Sequence, residues 1–173
     1  MSYFRFSICV LVFCFLIGCK GSKTSPSKEK KTKDNQTHVK TYQGNEKAAK
    51  VISAARSYIG TPYKFGGTSR AGLDCSGLML LSFKEVNVDL PRTSAQQSNI
   101  GTAVKFSDLI PGDLVFFTDK KGGSNVTHVG IVSSVKGPRD VKFIHSSTKL
   151  GVVENDLYVS YYESILIKAR RVL

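Results

Sequence analysis

Two hydrophobic periods divide the chain. EKAAKVISAARSYIG puts Val51, Ile52, Ala55, Tyr58 and Ile59 on one helical face, and Gly60 and Pro62 end the pattern. A Gly-rich loop, TPYKFGGTSRAGL, follows. DCSGLMLLSFKEV is apolar at 78, 79, 80, 81 and 83, nearly all round, which suits a helix enclosed by protein. LPRTSAQQ offers a shorter helix with Ser94 and Gln97 at capping-box spacing, and IPGD offers a turn. After that turn the period shortens. DLVFFT, HVGIVSSV, KFIHSST and GVVEND are short β-rich runs broken by Gly, Pro and Asn, and SILIKARRVL reads as a last strand. Helices followed by strands predict an α+β domain over residues 46–173, with N-terminal helices packed on an antiparallel sheet. No internal repeat is visible.

The first 45 residues follow neither period. Arg5 precedes the apolar run FSICVLVFCFLIG, shorter than the ~20 residues of a membrane span, and the run ends on a small residue. This is the pattern of a secretory signal. LIGC resembles a bacterial lipobox, so residues 1–18 are expected to be a cleaved signal peptide and Cys19 the lipidated first residue of the mature protein. Residues 19–45 then form a disordered basic linker, with seven Lys against Glu29 and Asp34. As a coil, the 26 residues after Cys19 would span about 25–30 Å. Lys20, rather than Asp, follows the lipid site. By the enterobacterial sorting pattern this resembles, the address is the outer membrane facing the periplasm, provided the cell has two membranes.

Charge narrows the partners. The 173 residues carry a net +12, of which residues 46–173 contribute +6 from 17 Lys/Arg and 11 Asp/Glu. These basic residues are scattered, with no Arg-rich helix and no aromatic interleaving, so nucleic acid is not an expected partner. An anionic wall polymer or lipid surface fits better.

Cysteine placement supplies the candidate chemistry. Cys9 and Cys14 leave with the signal and Cys19 carries lipid, so Cys75 is the one free thiol of the mature chain. An exported thiol without a partner is exposed to oxidation and needs a reason to be there. Cys75 opens the apolar helix, where unpaired N–H groups, the helix dipole and a neighbouring imidazolium would favour a thiolate. The domain has two histidines, since His38 lies in the linker. Alternation puts His128 on one strand face with Gly130 and Val132, and His145 on one face with Phe143 and Ser147. Gly130 would let the Cys75 helix end come close to the strand. A nucleophile, a base and an orienter is one reading of this set. A core cysteine with two satisfied histidines is another, and a zinc site of Cys75, His128 and His145 a third. Asp74 is a favoured helix N-cap, replaceable in that job by Asn.

The ordered set GTPYKFGG…LDCSGLMLLSF, LPRTSAQQ, LIPGDLVFF, HVGIV and FIHSS…GVV resembles the NlpC-type cell-wall cysteine peptidases, a papain-like family, over about residues 47–172. The resemblance implies Cys75 as nucleophile, His128 as base and His145 as orienter. It also implies that Tyr63, Asp74 and Ser76 bind substrate, with Asp74 and Tyr63 holding a substrate amine or amide. The implied reaction is hydrolysis of peptidoglycan stem peptides, at the γ-D-glutamyl–diamino acid bond or, in some single-domain lipoprotein members, at the D,D cross-link. No metal or organic cofactor is expected. Phe65 departs from the family's usual Trp, and SSVKGPRDVK makes a long connection between the two histidine strands. A thiol acyltransferase of similar fold and a catalytically silent wall-binding lipoprotein are the rival readings.

Overall fold

The computed structural model describes residues 46–173. The signal-peptide, linker and Cys19 expectations lie outside the described residues. The elements are α1 (Glu46–Ser57), β1 (Thr68–Ser69), β2 (Gly72–Leu73), α2 (Cys75–Lys84), α3 (Ser94–Gln97), β3 (Thr102–Ala103), β4 (Leu114–Phe117), β5 (His128–Gly137), β6 (Asp140–Ser147), β7 (Gly151–Asp156), α4 (Ser160–Ile165) and β8 (Leu166–Arg171). A 3-10 turn spans Phe106–Asp108. Six strands form one antiparallel sheet in the order β3-β8-β4-β5-β6-β7, and β1 and β2 make a separate hairpin. The expected α+β architecture is present.

Both faces of the sheet are covered. On one, Val51, Ile52 and Ala55 of α1 and Leu78, Met79 and Phe83 of α2 pack on Leu114, Phe116, Val129, Ile131, Ile144 and Val152. On the other, Val115, Phe117, Val132, Phe143 and Ala169 form a second cluster with Leu157 and with Ile165 of α4. Strand β4 has all four residues buried, which is why LVFF shows no polar alternation. At ~1.5–3 kcal/mol for each fully buried large apolar side chain, these two layers hold the site's strands rigidly in register.

Four local expectations change. Helix α1 ends at Ser57, and Ile59 is exposed in the turn that follows rather than on the apolar face. The capping box is Thr93 with Gln96, one residue earlier than expected. That shift frees Gln97, which is buried and donates its Nε2 to the carbonyls of Ser76 and Pro91, tying α3 to the start of α2. SSVKGPRDVK is mostly strand: only Pro138 and Arg139 separate β5 from β6, and two register shifts in β5 take up its extra length. The run SILIKARRVL is split, with Ser160–Ile165 forming α4 before β8 begins. Val159 caps α4 without a side-chain hydrogen bond, so no local start signal marks this helix.

Candidate active site

Helix α2 starts where it does because Asp74 is extended (φ −89°, ψ 173°) and its Oδ1 accepts from Gly77 N at 2.6 Å. The loop of residues 62–67 lies against this first turn. A Cβ on Gly77 would sit 2.2 Å from the Gly67 carbonyl oxygen, so glycine is what lets the two backbones touch. Lys64 N bonds Leu73 O and Leu73 N bonds Pro62 O, which fixes Tyr63 beside Cys75.

Asp74 is crowded with donors. Its Oδ1 also receives Ser76 Oγ at 3.1 Å and Arg92 Nη1 at 3.1 Å, while Oδ2 receives Gly66 N at 2.9 Å and Arg92 Nη2 at 2.6 Å. Burial alone would raise this carboxyl, but the Arg92, Gly77 and Ser76 hydrogen bonds hold it below its ordinary value. Asp74 is therefore cap, loop anchor and ion-pair partner together. The five donors occupy its lone pairs, so a substrate amine reaching this carboxylate must displace Arg92 or Ser76.

On the strand side, His128 opens β5 and His145 lies in β6, with Gly130 directly opposite His145. A Cβ on Gly130 would meet the Phe143 ring at 2.6 Å and His145 Cβ at 3.2 Å. The bare position thus makes room for β6 side chains, not for the end of α2 as the sequence suggested. His128 Nε2 and His145 Nδ1 are 2.8 Å apart, with the rings at 89°. The His145 ring stacks on Phe143 at 4.7 Å between centroids. Its Nε2 faces Asn155 Oδ1 at 3.0 Å and the Tyr162 hydroxyl at 3.2 Å.

These groups border two adjoining clefts. One, of about 240 Å³, is lined by Tyr63, Cys75, Thr127, His128, His145 and Tyr162, among others. The second, of about 340 Å³, is lined by Tyr63, Phe65, Asp74, Cys75, Ser76 and Arg92, among others. Cys75, Tyr63 and Thr127 belong to both, so the line from one cleft to the other runs past Cys75. A larger hollow of about 500 Å³ lies along α1 between Ala48, Ile52, Arg56 and Ser133, and neither cysteine nor histidine lines it. All six residues singled out within the domain, Tyr63, Asp74, Cys75, Ser76, His128 and His145, gather around this line. The sequence reading missed Arg92, Asn155 and Tyr162.

Burial shifts all three titrating groups. It pushes the Cys75 thiol up, with the Asp74 charge adding to it, against opposing backbone hydrogen bonds from Val129, Ser76 and Cys75 itself. It pushes His128 down to about 3, with His145 adding to the effect. His145 is also lowered by burial, while its bond to Asn155 works the other way. Withdrawal from water disfavours charge on the thiol and on both imidazoles, and so works against the thiolate that the helix start favours. The zinc reading loses its ligand set, because the facing nitrogens of His128 and His145 bond each other at hydrogen-bond distance. Among the described residues no three His, Cys, Asp or Glu side chains converge on a metal position.

With the geometry in place, similarity to known proteins is decisive. Residues 60–171 match the NlpC/P60 family model. The chain belongs to the NlpC/P60 family. It is 35% identical over 170 residues to the probable endopeptidase NlpC of Escherichia coli strain K12, covering 97% of this chain and 99% of that one. It is 33% identical over 126 residues to the E. coli murein DD-endopeptidase MepS/murein LD-carboxypeptidase, covering 72% of this chain and 63% of that one. The crystal structure of an NlpC/P60 family protein from Bacillus cereus superposes with a TM-score of 0.67 at 34% identity, over 73% of this chain but 40% of that one. The fold is that of the papain-like cysteine peptidases, and this NlpC/P60 chain is a cysteine-type peptidase.

Proposed function

We propose that the protein hydrolyses peptidoglycan stem peptides, with Cys75 as nucleophile, His128 as general base and then acid, and His145 as the residue that orients His128. The observation that carries this reading is the convergence of Tyr63, Cys75, His128 and His145 on one cleft, with His128 held through Nε2 by His145. That hold leaves His128 Nδ1 to serve the thiol. Nδ1 takes the proton as Sγ attacks the carbonyl carbon. The Cys75 N–H at the start of α2 and the Tyr63 hydroxyl meet the oxyanion. His128 then gives the proton to the leaving amine, the C–N bond breaks, and a thioester remains on Cys75. A water deprotonated by His128 attacks the thioester and restores the thiol.

The bond we favour is γ-D-glutamyl–diamino acid, and the name of the E. coli DD-endopeptidase relative supports the D,D cross-link as the second candidate. Membrane attachment through Cys19, with the outer membrane as the address, is the matching proposal for location, and it rests on the LIGC-Lys20 sequence. Digestion of purified peptidoglycan tests the function. Chromatography and mass spectrometry of the fragments name the bond by its new amine and carboxyl ends. Hydrolysis by the wild type and none by Cys75→Ala is the expected result. Equal hydrolysis by both would exclude the cysteine mechanism, transfer of the acyl group to an added amine would favour an acyltransferase, and binding without cleavage a silent lipoprotein. Cys19→Ser should move the protein out of the membrane fraction or stall its processing.

A further inference from the structure

We propose that Asn155 and Tyr162 are positioning residues that fix which nitrogen of His145 carries its proton, and thereby which nitrogen of His128 is free to take the proton of Cys75. The inference rests on the roles given above to Cys75, His128 and His145. Asn155 sits on β7, opposite Phe143 in the ladder, and Tyr162 is carried by α4. Asn155 meets the site through His145, and Tyr162, which also borders the cleft, meets the same ring nitrogen.

The hydrogen-bond logic is closed. Around His145 Nε2 lie Asn155 Oδ1 at 3.0 Å and the Tyr162 oxygen at 3.2 Å. The Tyr162 hydroxyl gives its own proton to Asn155 Oδ1 at 3.2 Å, so its oxygen presents a lone pair to the ring. Both neighbours of Nε2 are then acceptors, and Nε2 carries the proton. A neutral imidazole has one N–H, so His145 Nδ1 is an acceptor. It faces His128 Nε2 at 2.8 Å, which makes Nε2 the donor. His128 Nδ1 is left with a bare lone pair. Reverse the first step and the base is lost: with the proton on His145 Nδ1, His128 would accept through Nε2 and carry its proton on Nδ1, facing the thiol with nothing to accept into.

The aromatic surroundings hold the ring while the tautomer is set. Phe143 stacks on one face of His145 at an interplanar angle of 16°, and Tyr162 meets it edge-on at 79°. A ring so clamped cannot turn to exchange Nδ1 for Nε2. The depressed basicity of His145 keeps it neutral, the condition under which one proton decides the whole chain.

The experiment is long-range proton–nitrogen correlation NMR on the full chain with ¹⁵N-labelled histidine, kept reduced near neutral pH, where three histidines give countable signals. The protonated nitrogen is expected to be Nε2 in both His145 and His128. A proton on His145 Nδ1 would overturn the proposal. Variants supply the second arm. Asn155→Leu should move His145 to a mixture of tautomers and lower kcat by about tenfold or more, short of the ~10²–10⁴ a general base supplies, with KM nearly unchanged. Asn155→Asp keeps an acceptor at Nε2, and should keep the Nε2–H form and most of kcat. Asn155→Leu retaining both tautomer and kcat would refute the proposal, and so would loss of the tautomer without loss of kcat. If Asn155→Leu fails to fold, the wild-type spectrum and Asn155→Asp still decide. The spectrum needs no substrate, so failure of the peptidoglycan reading shows in digestion alone, and failure of this inference shows in the tautomer.

Discussion

Asp74→Asn separates capping from the other duties of this side chain. Asn is as good an N-cap as Asp, so the bond from Gly77 N at 2.6 Å survives and the cap contributes no loss. The second oxygen is what changes. Turned to keep the cap, the amide puts NH₂ where Oδ2 now accepts from Gly66 N at 2.9 Å and Arg92 Nη2 at 2.6 Å, so donors face donors. A buried donor without a partner costs ~1–3 kcal/mol. The lost ion pair adds only ~0–1 kcal/mol, because the Arg92 side chain is 39% exposed. The total is about 1–4 kcal/mol. With a urea m-value of ~2 kcal/mol/M, the unfolding midpoint should fall by roughly 0.5–2 M at unchanged m. Arg92→Met in the Asp74→Asn background removes one of the facing donors and should recover part of the loss, which a double-mutant cycle reads as coupling. Because Gly66 N anchors the loop that carries Tyr63, kcat/KM should fall in step with stability. A midpoint equal to wild type would refute the argument and reduce Asp74 to a replaceable cap.

Two further predictions follow from the histidines. His128→Ala should cost ~10²–10⁴-fold in kcat, and His145→Ala clearly less, since water can stand in for an orienter; equal losses, measured on one stem-peptide substrate, would mean His145 does more than orient. Acid should unfold the domain through His128. Its folded value near 3 lies below its ordinary 6.5, so the unfolded chain takes the proton first and stability falls as pH drops through that window, by about 1.4 kcal/mol per unit at the steepest. Asp74, held low by Arg92, adds a loss only below the ordinary carboxylate range, where it becomes protonated in the unfolded state's favour. Urea titrations at pH 7, 5.5 and 4.5 should show the slope in wild type and a flatter one in His128→Ala; parallel curves would contradict a buried neutral His128.

Periodicity made the placement of Cys75 and the two histidines legible in the sequence, while their roles, and those of Tyr63, Asp74 and Ser76, came from the family resemblance. An apolar helix opening on Asp74 and Cys75 announces a thiol at a buried helix end, and alternation through HVGIV and KFIHSS puts each histidine on a definite strand face. What periodicity cannot report is register. Asn155 reaches His145 because β7 pairs with β6 so that Val153 opposes His145 and Asn155 opposes Phe143, a fact held in tertiary packing. Tyr162 was hidden further, because SYYESI reads as β-prone next to LIKAR and becomes helix only by docking Ile165 into the second cluster. Arg92 lies 18 residues from its partner Asp74, with no local signal joining them. The part that burial plays in protonation was hidden for a related reason. A helix start is visible in sequence, but the burial that raises Cys75 and lowers His128 is a property of the folded site.

The central claim, that Cys75 carries the acyl group and His128 moves its proton, is tested most directly by rapid-quench mass spectrometry of the intact protein during turnover of a synthetic stem peptide. The account predicts a transient mass increase equal to the acyl fragment, located on Cys75 by digestion, absent in Cys75→Ala and formed much more slowly in His128→Ala. Turnover without any adduct on Cys75, or unchanged turnover by Cys75→Ala, would contradict it.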